Sequence, residues 1–341
     1  MKKVSFVIPA YNASEVIGKC IDSLVAQSLE QYEIIVINDG SQDDTLACLR
    51  KLQEIHPEIK IIDIPNGGPS NARNVGIENA DGDYLVMIDS DDFLNDLTCI
   101  KRYIEIMETD SLDLLVFGCQ DVFLKQNEVV EVRESKIKNA YYESRKVFFD
   151  NMGAHLLQQI VYSASNKIYK MSIVKSKAIK FDTALSMEED FLFNIHYFEY
   201  VNKVRFIEES PYSYVHESGT ASLSQKYVPN VKELTKMSFD KLIHLLEKER
   251  AYQNTNKRNV DIYFIKRVSG WINSLFTKNC TLSSLEKIKQ IKEMMRDSVV
   301  QERLKSFEPD SNKDKILFIL LKYKQAAVAY GIYGVLNVTR K

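Results

Sequence analysis

Four short apolar runs, each ending abruptly in a polar cluster, most constrain what this chain can fold into. Val4 to Ile8, Glu33 to Asn38, Ile59 to Ile64 and Tyr84 to Ile88 read as strands. Runs this apolar are stable only in a sheet covered on both faces. Helical periodicity separates them. Ser14 can cap a helix whose apolar positions Val16, Ile17, Cys20, Ile21, Leu24 and Val25 recur at i, i+3 and i+4. Asp43 or Asp44 opens a second helix through about Ile55, and Ser70 to Ala80 forms a third. This βαβαβαβ order demands an α/β fold with a mostly parallel sheet, helices on both faces and right-handed crossovers. In such a sheet the carboxyl ends of the strands share one edge, where ligands bind. The clusters Pro9–Asn12, Asp39–Ser41, Asn66–Asn71 and Asp89–Asp92 therefore converge there.

The last cluster sets the chemistry. Asp89, Asp91 and Asp92 place three carboxylates within four positions. Like charges this close repel, so a positive partner is expected, and hard cations such as Mg²⁺ or Mn²⁺ take oxygen ligands of this kind. A lone Asp-x-Asp is more often a solvated acidic turn, so the other loops have to carry the reading. Asp39, on its tight turn with Gly40, can accept hydrogen bonds from a base imide or ribose hydroxyls. Tyr11 can stack on a base, and Asn12 can fix its loop. Gly67-Gly68 lets backbone approach a ligand closely. Arg73, one turn into the third helix, offers a fork for phosphate or carboxylate. Taken singly, each is more simply a turn residue, core packing or a surface charge. Together on one edge, beside the acidic turn, they favour a nucleotide-diphosphate site. No GxGxxG follows the first strand and no GxxxxGK[ST] occurs, which disfavours a dinucleotide fold or a P-loop NTPase.

The combination Val7-Ile8-Pro9-Ala10-Tyr11-Asn12, Ile37-Asn38-Asp39-Gly40-Ser41, Asn66-Gly67-Gly68-Pro69-Ser70-Asn71-Ala72-Arg73 and Asp89-Ser90-Asp91-Asp92 resembles the family 2 glycosyltransferases, which have a GT-A fold. Order and spacing match over about residues 4 to 95. The resemblance implies that Asp39 contacts the base or ribose of a nucleotide-sugar. It implies that Asp89 lies near the ribose or donor sugar and that Asp91 ligates Mn²⁺ or Mg²⁺ on the diphosphate. Pro9, Tyr11, Asn12, Asn66, Gly68, Arg73 and Ser90 complete the expected donor-binding set. Met187-Glu188-Glu189-Asp190-Phe191-Leu192-Phe193-Asn194 is similar to the family's ED segment, whose Asp is the catalytic base. That role passes to Asp190, with Glu189 beside it on the acceptor side. Ser163-Ala164-Ser165-Asn166-Lys167 resembles an acceptor-side segment with an Asn-Lys pair, and Lys167 is either an acceptor-side group or a surface lysine. His216-Glu217-Ser218-Gly219-Thr220 resembles a segment that closes over the diphosphate. His216 could complete the metal shell there, although a lone histidine is more often structural.

What the resemblance implies is an inverting, metal-dependent transfer. Asp190 would deprotonate an acceptor hydroxyl as it attacks the anomeric carbon from the face opposite the leaving nucleotide. The expected donor is a UDP-sugar carrying a hexosyl or N-acetylhexosaminyl group. The expected acceptor is a glycan or lipid-linked glycan of polysaccharide biosynthesis. Transfer to polyprenyl phosphate and a non-catalytic GT-A scaffold subunit are the alternatives. A sugar-phosphate nucleotidylyltransferase would need a Gly-rich loop with an Arg after the first strand. A processive synthase would carry QxxRW and several spanning helices, whereas the single Trp is Trp271 in Ser-Gly-Trp-Ile-Asn.

Further along, Leu97 to Glu108 has helical spacing, and Asp113 to Gly118 is another buried strand followed by a hairpin-like stretch to about Ser135. Glu188 to Tyr200 is an amphipathic helix with Glu189 and Asp190 in its first turn, where the helix dipole favours ionised carboxylates. Lys203 to Glu208 and Pro211 to Val215 read as a strand pair. After about residue 225 the texture changes: Val228 to Arg250, Asn259 to Thr277, Ser283 to Met295 and Asp314 onward read as helices. The expected division is a GT-A domain over 1–224 and a helical C-terminal region over 225–341. Within 314–338, apolar runs too short to span a bilayer are flanked or interrupted by lysines at 313, 315, 322 and 324. An interfacial helix on anionic lipid fits this pattern; the alternative is a terminal helix buried in the core or in a homodimer.

Composition limits the partners. Of 341 residues, 45% are apolar and 27% charged, with net charge −2, so no basic field points to nucleic acid. Five cysteines without CxxC spacing read as free thiols in a reducing compartment. No long apolar h-region follows the two N-terminal lysines, which argues against a signal peptide. The expected location is the cytoplasm, peripheral to the inner face of the cell membrane.

Overall fold

The structure is a computed structural model that describes residues 3–126, 128–135, 137–217, 227–277 and 279–338. It contains two compact units, Met1–Phe148 with Gln158–Thr220, and Phe149–Leu157 with Ala221–Lys341. The expected segment Ser218–Thr220 and the expected boundary at 224 lie outside the described residues.

The first unit opens with the expected alternation. Its elements are β1 (Val4–Ala10), α1 (Ile17–Val25), β2 (Tyr32–Asp39), α2 (Thr45–Ile55), β3 (Ile59–Ile64), α3 (Pro69–Glu78) and β4 (Tyr84–Met87). β1 pairs in parallel with β2 and with β4, and β2 with β3, so four carboxyl ends share one edge. Alternating side chains explain the layering. Phe6, Ile8, Ile34, Val36 and Val86 join Ile21 and Leu24 of α1 and Leu49 of α2 in one apolar core. Val7 and Ile37 face the other way, onto α3, where a Cβ at Gly76 would run into both. Helices thus cover both faces, as an apolar parallel sheet requires.

The unit continues with β5 (Phe93–Leu94), α4 (Cys99–Thr109), β6 (Leu114–Lys125), β7 (Glu128–Glu134), β8 (Ala140–Tyr142) and α5 (Arg145–Asp150). After α6 (Met152–Leu157), which clusters with the second unit, come β9 (Lys167–Lys170), α7 (Met171–Ser176), α8 (Glu189–Phe198) and β10 (Val204–Glu217). The sheet order is β3-β2-β1-β4-β9-β6-β10-β5, with β7 on β6 and β8 on β10. β9 is antiparallel to β4 and β6, and joins the first four strands to the parallel β6–β10 pair.

Two expectations change. Ser14 caps no helix: α1 starts at Ile17 after Val16, with no side-chain cap, and the Ser14 backbone N–H donates to Asp43 Oδ2 at 3.1 Å. The strand pair over 203–215 is one strand, β10, whose register on β6 shifts between Ile207 and Tyr212. Gly118 makes the shift possible, since a Cβ there would strike Ser210 and the Glu209 carbonyl.

The second unit is helical: α9 (Val231–Lys248), α10 (Asn254–Ser274), α11 (Ser284–Arg296), α12 (Ser298–Leu304), α13 (Asn312–Lys322) and α14 (Ala326–Val338). Ser283 and Glu286 form a reciprocal capping box at the start of α11. The unexpected α12 follows from Asp297, whose carboxylate accepts from Val299 N–H at 3.0 Å. Trp271 is a core residue that donates to Thr235 Oγ1 at 3.2 Å. Among the described residues, no helix is long and apolar enough to cross a membrane.

Candidate active site

The loops at the shared edge brace one another. Asn12 N–H donates to Ser41 Oγ at 3.0 Å, and Asn12 Oδ1 accepts from Gln42 N–H at 2.8 Å. Ala13 N–H donates to Thr45 Oγ1 at 2.7 Å. Pro9 stays within β1 opposite Ile37, half-buried. Tyr11 stands out at 48% exposure, open to a planar ligand.

Asp39 is buried, with each carboxylate oxygen on a backbone N–H: Gly67 at 2.7 Å and Gly68 at 2.9 Å. Asn66 Nδ2 donates to the Asp39 carbonyl at 2.9 Å. Gly68 takes φ 84°, which favours glycine, and precedes Pro69 at the start of α3. Asp39 therefore sets where α3 begins and so where Arg73 lies. Each oxygen keeps a second lone pair, so any ligand contact is additional to this bracing.

In the acidic turn the three carboxylates divide. Asp92 is buried and accepts from Tyr212 O–H and from Val215 N–H, the latter at 2.9 Å. Burial, then the charges of Asp89 and Asp91, push its carboxyl well above the ordinary value, against the pull of those two bonds. Asp92 thus shapes the turn from below. Asp91 is exposed, yet the protein around the turn and the neighbouring Asp89 raise its carboxyl as well. Ser90 sits half-buried between them. Beneath the turn Cys20 donates to the Asp89 carbonyl at 3.5 Å, and burial followed by the three carboxylates keeps it a thiol.

Arg73 is where distant pieces meet. It is 6% exposed, and its two terminal nitrogens go to two carboxylates: Nη2 to Asp89 Oδ1 at 2.7 Å and Nη1 to Asp190 Oδ1 at 3.3 Å. Burial opposes its charge, but Asp190 and then Asp89 raise its pKa further. The guanidinium is therefore a bridge between carboxylates, not an open phosphate fork. Its buried Nε–H has no partner among the described residues, which leaves one donor for a ligand oxygen or water. The other oxygen of Asp190 accepts from Ala164 N–H at 3.2 Å. Glu189 is half-buried beside it, and burial and then Asp190 raise its carboxyl.

Lys167 is not a surface lysine. It is fully buried, and Nζ donates to the carbonyls of Ile160, at 3.1 Å, and Ser163, and to Asn166 Oδ1, at 2.7 Å. Asn194 Nδ2 reaches the carbonyls of Val161, Tyr162 and Ser163, and its Oδ1 accepts from Tyr169 O–H at 2.7 Å. Together they pin the loop that offers Ala164 N–H to Asp190. Burial pulls the Lys167 ammonium down to about 7, with Asp190 and Cys119 holding against it. An unfolded lysine titrates near about 10.4, so between the two values the unfolded chain binds the extra proton and stability rises with pH. Below the lower value the penalty is fully present. Lys167→Met should remove this rising limb, whose steepest slope is about 1.4 kcal/mol per pH unit. Urea melts between the two pKa values test it; an unchanged slope contradicts the assignment.

His216 Nε2 lies 2.7 Å from Asp121 Oδ1, and its ring stacks on Phe123 with centroids 4.8 Å apart. Any metal would have to use its other ring nitrogen. Among the described residues, no group of three His, Cys, Asp or Glu side chains could hold a metal alone. Mg²⁺ needs no such cage when one or two carboxylates and substrate phosphates supply its ligands. The donor set here, exposed Asp91 crowded by Asp89, fits that mode.

Residues 5–176, half of the chain, match the family model of glycosyl transferase family 2. The chain belongs to that family. This family 2 chain is 28% identical to the poly(ribitol-phosphate) beta-glucosyltransferase of Bacillus spizizenii over 67% of its own length. It spans 34% of that relative, and 60% of EpsJ of Bacillus subtilis at 29% identity. With EpsH of Bacillus subtilis it shares 26% identity over 97% of its length and 95% of that protein's. The crystal structure of Staphylococcus aureus TarS 1-349 superposes with a TM-score of 0.67 at 19% identity, covering 99% of this chain and 92% of that one. The same protein in complex with UDP-GlcNAc gives 0.63 at 20% identity. At such identities the likeness carries the fold, a GT-A sheet.

Sequence reasoning did not single out Tyr212, Tyr169 or Asn194 for the site, nor Ser165, whose Oγ donates to Asp89 Oδ2 at 3.5 Å. Asn194 lies inside the segment resembling the family's ED motif, which was its only available signal.

Proposed function

We propose that this chain is an inverting glycosyltransferase that moves a hexosyl or N-acetylhexosaminyl group from a UDP-sugar to a hydroxyl of a glycan or lipid-linked glycan. The observation that carries the reading is the Arg73 bridge, 2.7 Å to Asp89 and 3.3 Å to Asp190. It joins the acidic turn to the start of α8, two motifs that mean little separately. The choice of UDP is supported by TarS, whose solved complexes hold UDP-GlcNAc and UDP.

In this reading Tyr11 stacks on the base, and the braced edge between Asp39 and Gly68 receives the nucleoside. Asp91 would hold Mn²⁺ or Mg²⁺, and His216, oriented by Asp121, would supply a nitrogen ligand of the kind such a second-shell carboxylate serves. The cation, when bound, offsets the charge that builds on the leaving diphosphate. Asp190, fixed by Ala164 and Arg73 yet partly open, accepts the proton of the attacking hydroxyl. Glu189, half-buried beside Asp190 with its carboxyl raised by burial and by that neighbour, faces the acceptor side. Attack opposite the leaving group inverts the anomeric centre. Five unbridged cysteines suit a reducing, cytoplasmic location.

The test is UDP release from a panel of UDP-sugars with Mn²⁺ and with Mg²⁺. Turnover of one donor supports the reading, and silence with every donor and metal leaves a non-catalytic scaffold. In the same assay Asp91→Ala should weaken Mn²⁺-dependent donor binding at least about tenfold. With EDTA present it should bind donor like wild type. Equal affinities with Mn²⁺ would remove Asp91 from the metal site.

A further inference from the structure

α13 buries Leu317, Leu320 and Leu321 and keeps Asp314 tied to Ser311 and Lys266. Its opposite face is apolar and open. Ile316, Ile319 and Tyr323 are 47%, 51% and 61% exposed. They recur at i, i+3 and i+7, which draws one stripe down the helix. Lys313, Lys315 and Lys322 are exposed as well. At about 100° per residue, Lys315 and Lys322 flank one side of the stripe and Lys313 the other. Lys322 Nζ lies 5.4 Å from the Phe318 ring and 5.8 Å from the Tyr323 ring, so its stem runs along apolar surface. On α14, Val328 is also 51% exposed. From Asn312 to Val338 the only acid is Asp314, and it is buried.

We propose that this face docks on the surface of an anionic lipid bilayer. Ile316, Ile319 and Tyr323 enter the boundary between headgroups and acyl chains, and the flanking lysines pair with lipid phosphates. Charge selects this occupant over a second copy of the chain. A two-fold contact would set the same lysines against each other, and no exposed acid on either helix could receive them. The inference is independent of which donor or acceptor the chain uses.

Co-sedimentation of the full chain with vesicles tests it. Wild type should pellet with phosphatidylglycerol–phosphatidylcholine vesicles, far less with phosphatidylcholine alone, and should be released by high salt. Replacing Lys315 and Lys322 together by Gln should weaken partition roughly fivefold per lysine. Ile316→Asp with Ile319→Asp should abolish it. All four side chains are exposed, so melting curves should stay close to wild type. Should the aspartate pair fail to fold, the lysine pair still decides. Three results would overturn the proposal: wild type staying in the supernatant with anionic vesicles at low salt; binding indifferent to salt and to the lysine pair; or a dimer, dissolved by Ile319→Asp, in place of lipid binding.

Discussion

Asp190→Asn should lower kcat by about 10²–10⁴-fold while leaving the donor KM near its wild-type value. The range is what general base catalysis contributes where the rest of a site stays intact. Asparagine nearly preserves shape, so α8 and the loop at Ala164 should keep their places. The carboxylate accepts from Ala164 N–H and from Arg73, and an amide can satisfy only one of these while its NH₂ faces the other. The fold should therefore lose little, about 1–3 kcal/mol for one spoiled partner. Steady-state kinetics with donor and acceptor varied separately provide the measurement. A loss below tenfold, or one confined to donor KM, would take the base role away from Asp190.

Arg73→Ala should do broader damage. Removing one partner of a buried ionic cluster costs about 3–5 kcal/mol, because the charges left behind are uncompensated. Asp89 and Asp190 would both lose their cation, with Glu189 close by. Transfer should fall with stability, since both halves of the site lose their common anchor. Arg73→Lys restores a charge but cannot span two carboxylates with a planar fork, so it should land between alanine and wild type in urea midpoint and in kcat. An alanine variant as stable as wild type would mean that the bridge does not hold the site together.

These two residues also mark how far the sequence could be read. Strand ends declare themselves through abrupt changes from apolar to polar residues, and parallel pairing then dictates that four loops meet. Arg73 was visible as a fork, and Asp190 as the second carboxylate of an acidic pair. Nothing local says that they touch across 117 residues. Asp39 illustrates a different limit. Its position on the edge was legible, but its bonds to Gly67 and Gly68, a brace that sets where α3 begins, were not. Lys167 was harder still, because a lysine reads as solvated unless the surrounding oxygens are known. Two of those oxygens are backbone carbonyls, of residues 160 and 163, and carbonyls leave no trace in side-chain pattern. The merger of two short runs into β10 depended on Gly118, a residue of the neighbouring strand.

The clamp on Asp92 has a temporal side. Its partners Tyr212 and Val215 are 120 and 123 residues downstream. A ribosome adding 5–20 residues per second needs roughly 6 to 25 seconds to deliver them. The first four strands close only short loops and can pair early, whereas contacts of long sequence separation come late. A nascent chain can thus own its sheet edge, and the whole acidic turn, well before that turn is held in shape. The two halves of the site become competent together, when the last strand of the sheet docks.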